Sequence, residues 1–399
     1  MATPKENKLL KYLLIILLII FPIGQLTRIP LPLKDINIYL HDLVLVFLWL
    51  ILIYKFIRGI KIFSTPITGY ILIFISWLIV SFLINLYRLD FWEGLISSSY
   101  LLRFAAFTAI FFALNHLLEE KILSSEKIKD YILTSIFVTS LFAILQYIFY
   151  PDLRNLYYLG WDPHYLRAFG TFFDPNFLGL LLVTALLIII NTVNWQKNWG
   201  YILKAVVIFI TMALTYSRSS YLAFIGGIIY FSIMKKAWKL LLTTFAVIII
   251  TLFLLPQSQF FEGRNLLRIS STISRLGSWQ ESIDLIKKSP IIGLGFNTLR
   301  YTRDPIPEKI FDQAIIPNKS ASGIENSFLF VAVTSGVIGL ILFLFLLFDL
   351  FSRGDLLLKI MIIAISVHSL FNNSFFYPWV MLLFWIMVAL GIKDRNSKA

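Results

Sequence analysis

The sequence predicts an all-α, polytopic membrane protein with about twelve transmembrane helices and one long extracytoplasmic loop between the ninth and tenth helices. Composition is the first reason: of 399 residues, 58% are hydrophobic and 14% charged, and the mean hydropathy is +0.81, whereas soluble domains carry about 25% charged residues. The second is a series of apolar runs long enough to cross a bilayer core of about 30 Å. The third is the mostly polar stretch 256–323, which interrupts this series.

The apolar runs give the predicted spans in order. They are residues 9–24, 39–57, 67–86, 95–118, 128–150, 175–193, 201–216, 220–234, 238–255, 324–350, 356–376 and 378–392. Lys5 and Lys8 precede the first run and Lys11 lies near its start. The run resembles a signal peptide in charge and length, but it lacks a small-residue cleavage site, so we interpret it as an uncleaved helix. The chain contains no internal repeat, and we treat residues 1–399 as one polytopic domain.

Basic residues cluster in alternate short connections, and positively charged loops resist translocation. Those predicted on the side of the N-terminus are Lys55, Arg58, Lys61, Lys121, Lys127, Lys129, Lys235, Lys236 and Lys239, joined by Lys393, Arg395 and Lys398. The opposite short connections carry only one or two basic residues each. This pattern places both termini in the cytoplasm and residues 256–323 outside it. The formal net charge of +13 therefore reflects topology and does not indicate a nucleic-acid partner. The absence of cysteine excludes disulfides and thiolate metal sites.

One helix is predicted inside the long loop, at residues 275–288. Apolar residues recur there at spacings of three and four, while the positions between them are polar. These apolar residues are Leu276, Trp279, Ile283 and Ile286. The Ser289-Pro290 pair ends the helix. One interpretation is a helix in the membrane interface anchored by Trp279, but that interpretation does not account for an arginine, Arg275, at its start.

Three arginines fall on the predicted outer side. Arg167 follows a Trp-Asp-Pro-His loop, Arg218 lies in the tight turn 217–219, and Arg275 opens the loop helix. Guanidinium groups bind diphosphate oxygens in bidentate fashion, so the set predicts a lipid-diphosphate site. Snorkelling towards lipid headgroups is the alternative for each of them. Arg103, within the fourth span, should face the bundle interior or a wet cavity and extend this site.

A carboxylate, Glu325, precedes Asn326 at the start of the tenth span. One interpretation is a helix cap, since carboxylates are favourable at helix N-termini. The other is a general base that takes a proton from an acceptor hydroxyl, with Asn326, His164 and Asn176 as supporting residues. Gly336 and Gly339, further along this span, permit close helix packing.

Four segments in this order resemble the motifs of the O-antigen ligase and polymerase superfamily. They are 166–179 (LRAFGTFFDPNFLG), 214–223 (LTYSRSSYLA), 275–299 (RLGSWQESIDLIKKSPIIGLGFNTL) and 325–340 (ENSFLFVAVTSGVIGL). The resemblance implies metal-independent transfer of a glycan from an undecaprenyl-diphosphate carrier to a hydroxyl, in surface polysaccharide assembly at the bacterial inner membrane. It implies that Arg218 and Arg275 hold the diphosphate, that Arg167 assists, and that no cofactor takes part.

The chain departs from the ligase pattern at one position, where that pattern has histidine and this sequence has Glu325. An acidic residue there is more similar to the polymerase branch. The acceptor therefore stays open between lipid A core, a growing glycan chain and a protein hydroxyl.

Other polar residues give weaker indications. His41 and His116 lie near helix ends and His164 in a loop, with no second ligand at zinc spacing, so we predict no metal site. His368, inside a span, indicates either a functional residue or a helix-to-helix hydrogen bond. Asp304, Glu308 and Asp312 have helical spacing, but the prolines between them argue against a helix and we assign them no metal.

A transporter of lipid-linked oligosaccharide is the alternative to an enzyme. A flippase is expected to line a central path and often to have repeated halves. In this sequence the polar residues concentrate on the predicted outer side of the last eight spans, and this distribution favours the enzyme.

Overall fold

The computed structural model describes residues 4–30, 36–192, 199–256, 270–302 and 323–392. These residues confirm the all-α membrane class. The helices are α1 (Pro4–Ile20), α2 (Leu40–Ile57), α3 (Thr68–Asn85), α4 (Phe91–Glu119), α5 (Ser125–Phe149), α6 (Pro175–Thr192), α7 (Trp199–Leu214), α8 (Arg218–Lys235), α9 (Trp238–Leu254), α10 (Ser270–Lys288), α11 (Leu299–Thr302), α12 (Ser327–Arg353), α13 (Leu356–Ser369) and α14 (Pro378–Gly391).

Each predicted apolar run coincides with one of these helices, and α10 and α11 lie in the polar stretch between the ninth and tenth runs. Among the described residues, seven helical segments are long and apolar enough to cross a membrane, and α7, α9, α13 and α14 are shorter apolar helices. The total of about twelve spans stays a prediction.

Large apolar side chains cover the outside of the bundle. Phe149 is 78% exposed and Phe253 is 85% exposed, and a soluble monomer rarely exposes large apolar patches. Helix α14, in contrast, is buried at every residue from 379 to 389. The outer faces are therefore suited to lipid, and α14 lies in the interior of the bundle.

Hydrogen bonds at the two ends of the bundle show that α1 and α2 run in opposite directions. At one end, Lys55 Nζ of α2 donates to Asn7 Oδ1 of α1 at 2.6 Å. At the other end, the hydroxyl of Tyr39 donates to Gln25 at 2.9 Å. We call the latter the α10 end, because Gln25 also donates to the hydroxyl of Tyr377 in the turn before α14, and Phe371 of that turn stacks with Trp279 of α10. Which end faces the cytoplasm stays a prediction, since Lys393, Arg395 and Lys398 lie outside the described residues.

Two elements at the α10 end differ from the sequence prediction. Strands β1 (Arg28–Pro30) and β2 (Asn37–Tyr39) form a short antiparallel pair before α2, although the sequence predicted no strand. Helix α10 begins five residues earlier than the predicted residue 275. Its buried side carries Ser282 and Leu285, whereas Leu276 and Ile283 of the predicted apolar face are exposed. That exposed apolar face is suited to the membrane interface.

Helix α12 is interrupted at Gly336, where φ is +67°. The segment after α10 crosses α12 at this break, and a Cβ atom on Gly293 would lie 2.4 Å from the Ser335 nitrogen. Three backbone hydrogen bonds join the two segments, from Leu294 N to Val333 O, from Gly295 N to Thr334 O and from Val337 N to Pro290 O. Glycine at these positions therefore fixes the end of α10 against α12. Residues 303–322, with Asp304, Glu308 and Asp312, lie outside the described residues.

Candidate functional site

The start of α8 is held by a serine-rich turn. Ser217 is the N-cap, and its side-chain oxygen accepts from the backbone N–H of Ser220, which satisfies one of the free donors of a helix N-terminus. The same hydroxyl donates to Asn176 Oδ1 at 3.1 Å. Asn176 belongs to α6, whose N-terminus also lies at the α10 end. These contacts fix Arg218, the first residue of α8, at a point where two helix N-termini meet.

Arg218 and Arg275 line one cavity of about 310 Å³, which we call the arginine cavity. Its lining comes from α8, α10 and the turn before α14, and consists of Arg218, Ser219, Leu222, Arg275, Leu276, Trp279 and Phe371. The Phe371 ring stacks with Trp279 and lies 5.8 Å from the Arg275 guanidinium carbon. Two guanidinium groups in a mostly apolar cavity are suited to an anion.

Glu325 lies beside the arginine cavity and contacts Arg275. Its Oε2 atom is 3.3 Å from Arg275 Nε, and the side chain is 57% exposed while that of Arg275 is 15% exposed. The helix cap is made by the next residue instead, because Asn326 Oδ1 accepts from the backbone N–H groups of Phe328 and Leu329. Capping therefore does not account for Glu325.

Arg167 is buried behind the start of α8. Its Nε donates to the Thr215 carbonyl at 2.8 Å, and its Nη2 donates to Asn176 Oδ1 at 3.3 Å. Asn176 also contacts Ser217, as described above. Arg167 and Asn176 thus hold the turn that carries Arg218, and Arg167 does not line the arginine cavity.

His368 connects three elements beneath this turn. Its Nε2 lies 3.1 Å from the carbonyl of Asn176 and 3.1 Å from Ser219 Oγ, and its Nδ1 lies 2.6 Å from Ser374 Oγ. A carbonyl only accepts hydrogen bonds, so Nε2 carries the proton and Nδ1 accepts from Ser374. The structure therefore shows the interhelical hydrogen bonds that were one alternative for this residue.

Arg103 is not brought to the arginine cavity. Its Nε and Nη2 atoms donate to the two carboxylate oxygens of Asp42, at 3.0 and 2.8 Å. It lines a different cavity between α4 and the turn before α14. The sequence could not show this pairing, because Asp42 lies on a different helix, 61 residues away.

His164 lies near two carboxylates. One ligand atom from each of Asp162, His164 and Asp174 lies within 4.8 Å of the others, an arrangement that could hold a cation. Asp174 Oδ1 also accepts from the backbone N–H groups of Asn176 and Phe177. Burial, and next the Asp162 charge, raise the pKa of Asp174 to about 6. Sequence spacing did not reveal this cluster, because the loop fold brings Asp174 back to His164.

Trp279 is a site residue that the sequence analysis placed elsewhere, as a membrane anchor. It lines the arginine cavity, and its indole N–H is buried without a hydrogen-bond partner among the described residues. A buried donor of this kind is available to a ligand oxygen. Its sequence signal was its position one turn after Arg275 on the same helix.

These observations define a polytopic helical membrane protein with a cavity that carries two arginines at one end of the bundle. Residues 203–344 match the O-Antigen ligase family model, and the resemblance to the O-antigen ligase superfamily is thereby confirmed. The matched segment includes Arg218, Arg275 and Glu325, but not Arg103 or Arg167.

A curated relative supports the same resemblance. The chain is 28% identical over 236 residues to a protein of Acinetobacter baylyi named General O-oligosaccharyltransferase. The alignment covers 52% of this chain and 39% of that protein, so this chain spans well under half the length of the curated relative that it matches.

Proposed function

We propose that this protein is a membrane glycosyltransferase of the O-antigen ligase or polymerase type. It transfers a glycan from an undecaprenyl-diphosphate-linked donor to an acceptor hydroxyl at the outer face of the bacterial inner membrane, during assembly of surface polysaccharide. The family match over residues 203–344 supports the class of reaction. The alternation of basic connections supports the orientation, with both termini in the cytoplasm.

One observation carries the proposal: Arg218 and Arg275 line the same cavity, and the Glu325 carboxylate lies 3.3 Å from Arg275. Arginine is suited to a diphosphate because its planar N–H groups match pairs of phosphate oxygens and keep their charge when desolvated. The N-termini of α6 and α8 add positive dipole ends at the same place. A carboxylate beside a diphosphate site is placed to accept a proton from an incoming hydroxyl.

The transfer then proceeds in one displacement. The acceptor oxygen forms a bond to the anomeric carbon of the donor as the bond from that carbon to the diphosphate oxygen breaks. Glu325 takes the proton of the acceptor hydroxyl, and undecaprenyl diphosphate leaves with the bonding electrons. Arg218 and Arg275 stabilise the negative charge that grows on the diphosphate. The proposal needs no cofactor, because the guanidinium groups supply the positive charge.

The Arg275–Glu325 pair has a defined part in this sequence of events. In the structure, the Glu325 carboxylate contacts Nε of Arg275. A diphosphate oxygen of the donor would bind to the same guanidinium group. Donor binding therefore exchanges one anion for another at Arg275 and releases Glu325 towards the acceptor. An exposed ion pair is worth only about 0.2–1 kcal/mol, so this exchange costs little.

The acceptor is either a saccharide, as in lipid A core or a growing glycan chain, or a protein hydroxyl. The name of the Acinetobacter baylyi relative specifies oligosaccharide transfer to oxygen, which all of these acceptors satisfy. We extend that chemistry to this chain as part of the proposal.

The test uses the purified full chain in lipid nanodiscs with a lipid-diphosphate oligosaccharide. Lipid A core, a free oligosaccharide and a serine-containing peptide are offered as acceptors, and products are identified by mass spectrometry. We expect glycan on one acceptor together with free undecaprenyl diphosphate, and loss of both products in Arg218→Ala and Arg275→Ala. Arg154→Ala, at an exposed arginine paired with Asp152, is the matched control and should retain activity. The same protein is also reconstituted in lipid vesicles, where donor movement across the bilayer without diphosphate release would instead establish the transporter.

A further inference from the structure

A second cavity, of about 190 Å³, opens at the α10 end. Five aromatic rings contribute to its lining, and they belong to Tyr100, Phe104, Phe296, Phe330 and Phe376. We call it the aromatic cavity. Phe376 packs against Phe104, Phe296 and Phe330 with ring centroids 5.1–5.8 Å apart. The two asparagines that line it, Asn297 and Asn373, add amide groups to this rigid aromatic wall.

Residues close in the chain link the linings of the aromatic cavity and the arginine cavity near Glu325. Phe371 lines the arginine cavity, and Asn373, two residues later, lines the aromatic cavity. Gly323 also lines the aromatic cavity, two residues before Glu325, which contacts Arg275. Two residues of extended chain span at most about 7 Å. The aromatic cavity therefore has a lining residue close to the backbone of Glu325.

The charge of Arg103 in the aromatic cavity is balanced by Asp42. Both carboxylate oxygens of Asp42 accept from the guanidinium, at 3.0 and 2.8 Å, and that group also lies over the rings of Tyr39 and Tyr100. Among the described residues the aromatic cavity is thus close to neutral, whereas two guanidinium groups line the arginine cavity, one of which, that of Arg275, contacts the Glu325 carboxylate. A neutral ligand fits the aromatic cavity better than a phosphate does.

One amide oxygen that lines the aromatic cavity has no hydrogen-bond partner in the part of the chain that the structure describes. The Oδ1 atom of Asn373 is buried and accepts no hydrogen bond among the described residues. Leaving a buried acceptor unpaired is costly, and native structures satisfy nearly all of them. A ligand hydroxyl would donate to this oxygen. Asn297 has a left-handed backbone, with φ of +60°, and strained backbone of this kind concentrates at binding sites.

We propose that the aromatic cavity binds the saccharide part of a neutral acceptor and presents its hydroxyl to Glu325, while the donor diphosphate occupies the arginine cavity. This inference rests on the proposed function and adds the class of acceptor. Sugar rings offer apolar C–H faces that pack on aromatic rings, and hydroxyls that bond to amides. The base then lies beside the acceptor hydroxyl, and the anomeric carbon of the donor lies between that hydroxyl and the leaving diphosphate, as a displacement requires.

The chain contains no cysteine, so a single introduced cysteine reports on one cavity. Asn373→Cys marks the aromatic cavity, and Leu276→Cys marks the arginine cavity. Alkylation rates are measured with a panel of neutral trisaccharides, with a serine-containing tripeptide and with farnesyl diphosphate as a soluble donor analogue.

We expect a trisaccharide to slow labelling of Asn373→Cys at least fivefold and to leave labelling of Leu276→Cys unchanged. Farnesyl diphosphate should slow labelling of Leu276→Cys and leave that of Asn373→Cys unchanged. The proposal is overturned if no trisaccharide protects Asn373→Cys, or if the tripeptide or farnesyl diphosphate protects it instead.

A kinetic measurement gives an independent test. Asn373→Ala removes a side-chain acceptor that makes no hydrogen bond within the described protein, so folding should be retained. We expect the KM for a saccharide acceptor to rise about fivefold to tenfold, with the KM for the donor within about twofold of wild type. Asn115→Ala, at the other end of α4, is the matched control and should change neither KM.

A rise in the donor KM alone would contradict the assignment. Absence of transfer to every acceptor would refute the proposed function, while the labelling pattern would still test the cavity.

Discussion

Replacing Glu325 by glutamine separates two roles of this side chain, as a general base and as an ion-pair partner of Arg275. Glutamine keeps the size of the side chain but cannot take a proton from the acceptor. General bases contribute about 10²–10⁴-fold to a rate. We therefore expect the transfer rate of Glu325→Gln at saturating substrates to fall at least about 100-fold.

The ion pair by itself predicts a much smaller effect. The Glu325 side chain is 57% exposed, and exposed ion pairs contribute about 0.2–1 kcal/mol, which corresponds to less than about sixfold in an equilibrium constant. Because Glu325→Gln releases Arg275, the donor should bind with unchanged affinity or up to about fivefold more tightly. The two roles thus differ by more than an order of magnitude in the expected rate.

The assay measures single-turnover transfer and donor affinity separately, in the same nanodisc preparation. Asp284→Asn is the matched control, because this carboxylate lies on α10, is 56% exposed and pairs with Lys287. The control should retain transfer within about twofold of wild type. A rate for Glu325→Gln within about sixfold of wild type would refute the general-base role and leave Glu325 as a partner of Arg275 only.

Arg218→Lys keeps the charge but loses the bidentate geometry, so the rate should fall roughly tenfold or more, while Arg154→Lys should be unaffected; equal rates for both variants would contradict the proposed contact. Transfer should continue in excess EDTA and in Asp162→Asn; loss of activity in both would assign a required cation to the cluster at His164. The folded-state pKa of Asp174 is raised to about 6 from 3.8. The contribution of this group to stability is therefore present below about pH 4 and lost as pH rises through about 6. Asp174→Asn keeps an acceptor for the backbone of α6, and its melting temperature should change less between pH 4 and pH 7 than that of wild type.

The sequence predicted the elements that depend on local pattern. Apolar runs predicted the helices, because this signal lies within a few consecutive residues. The loop helix was also predicted, although its buried side carries Ser282 and Leu285 rather than Leu276 and Ile283. Periodicity shows that a face is apolar and does not show whether lipid or protein covers it.

The features that the sequence could not predict depend on distant residues. The pairing of Arg103 with Asp42 removed one arginine from the predicted diphosphate set. The break at Gly336 required knowledge that the segment after α10 crosses α12. The cluster of Asp162, His164 and Asp174 formed only when the loop folded back. In each case the sequence showed the residue type but not the residue that it contacts, because that residue comes from another part of the chain.

The most direct test of the central claim, that Arg218 and Arg275 together bind the donor diphosphate, is a comparison of two soluble analogues. The affinities of farnesyl diphosphate and farnesyl monophosphate are measured by isothermal titration for wild type, Arg218→Ala, Arg275→Ala and the double variant. We expect wild type to favour the diphosphate at least tenfold, and each single variant to lose most of that preference, with a double variant little worse than either one because both groups bind the same ligand. Retention of the wild-type preference in either single variant would contradict the claim.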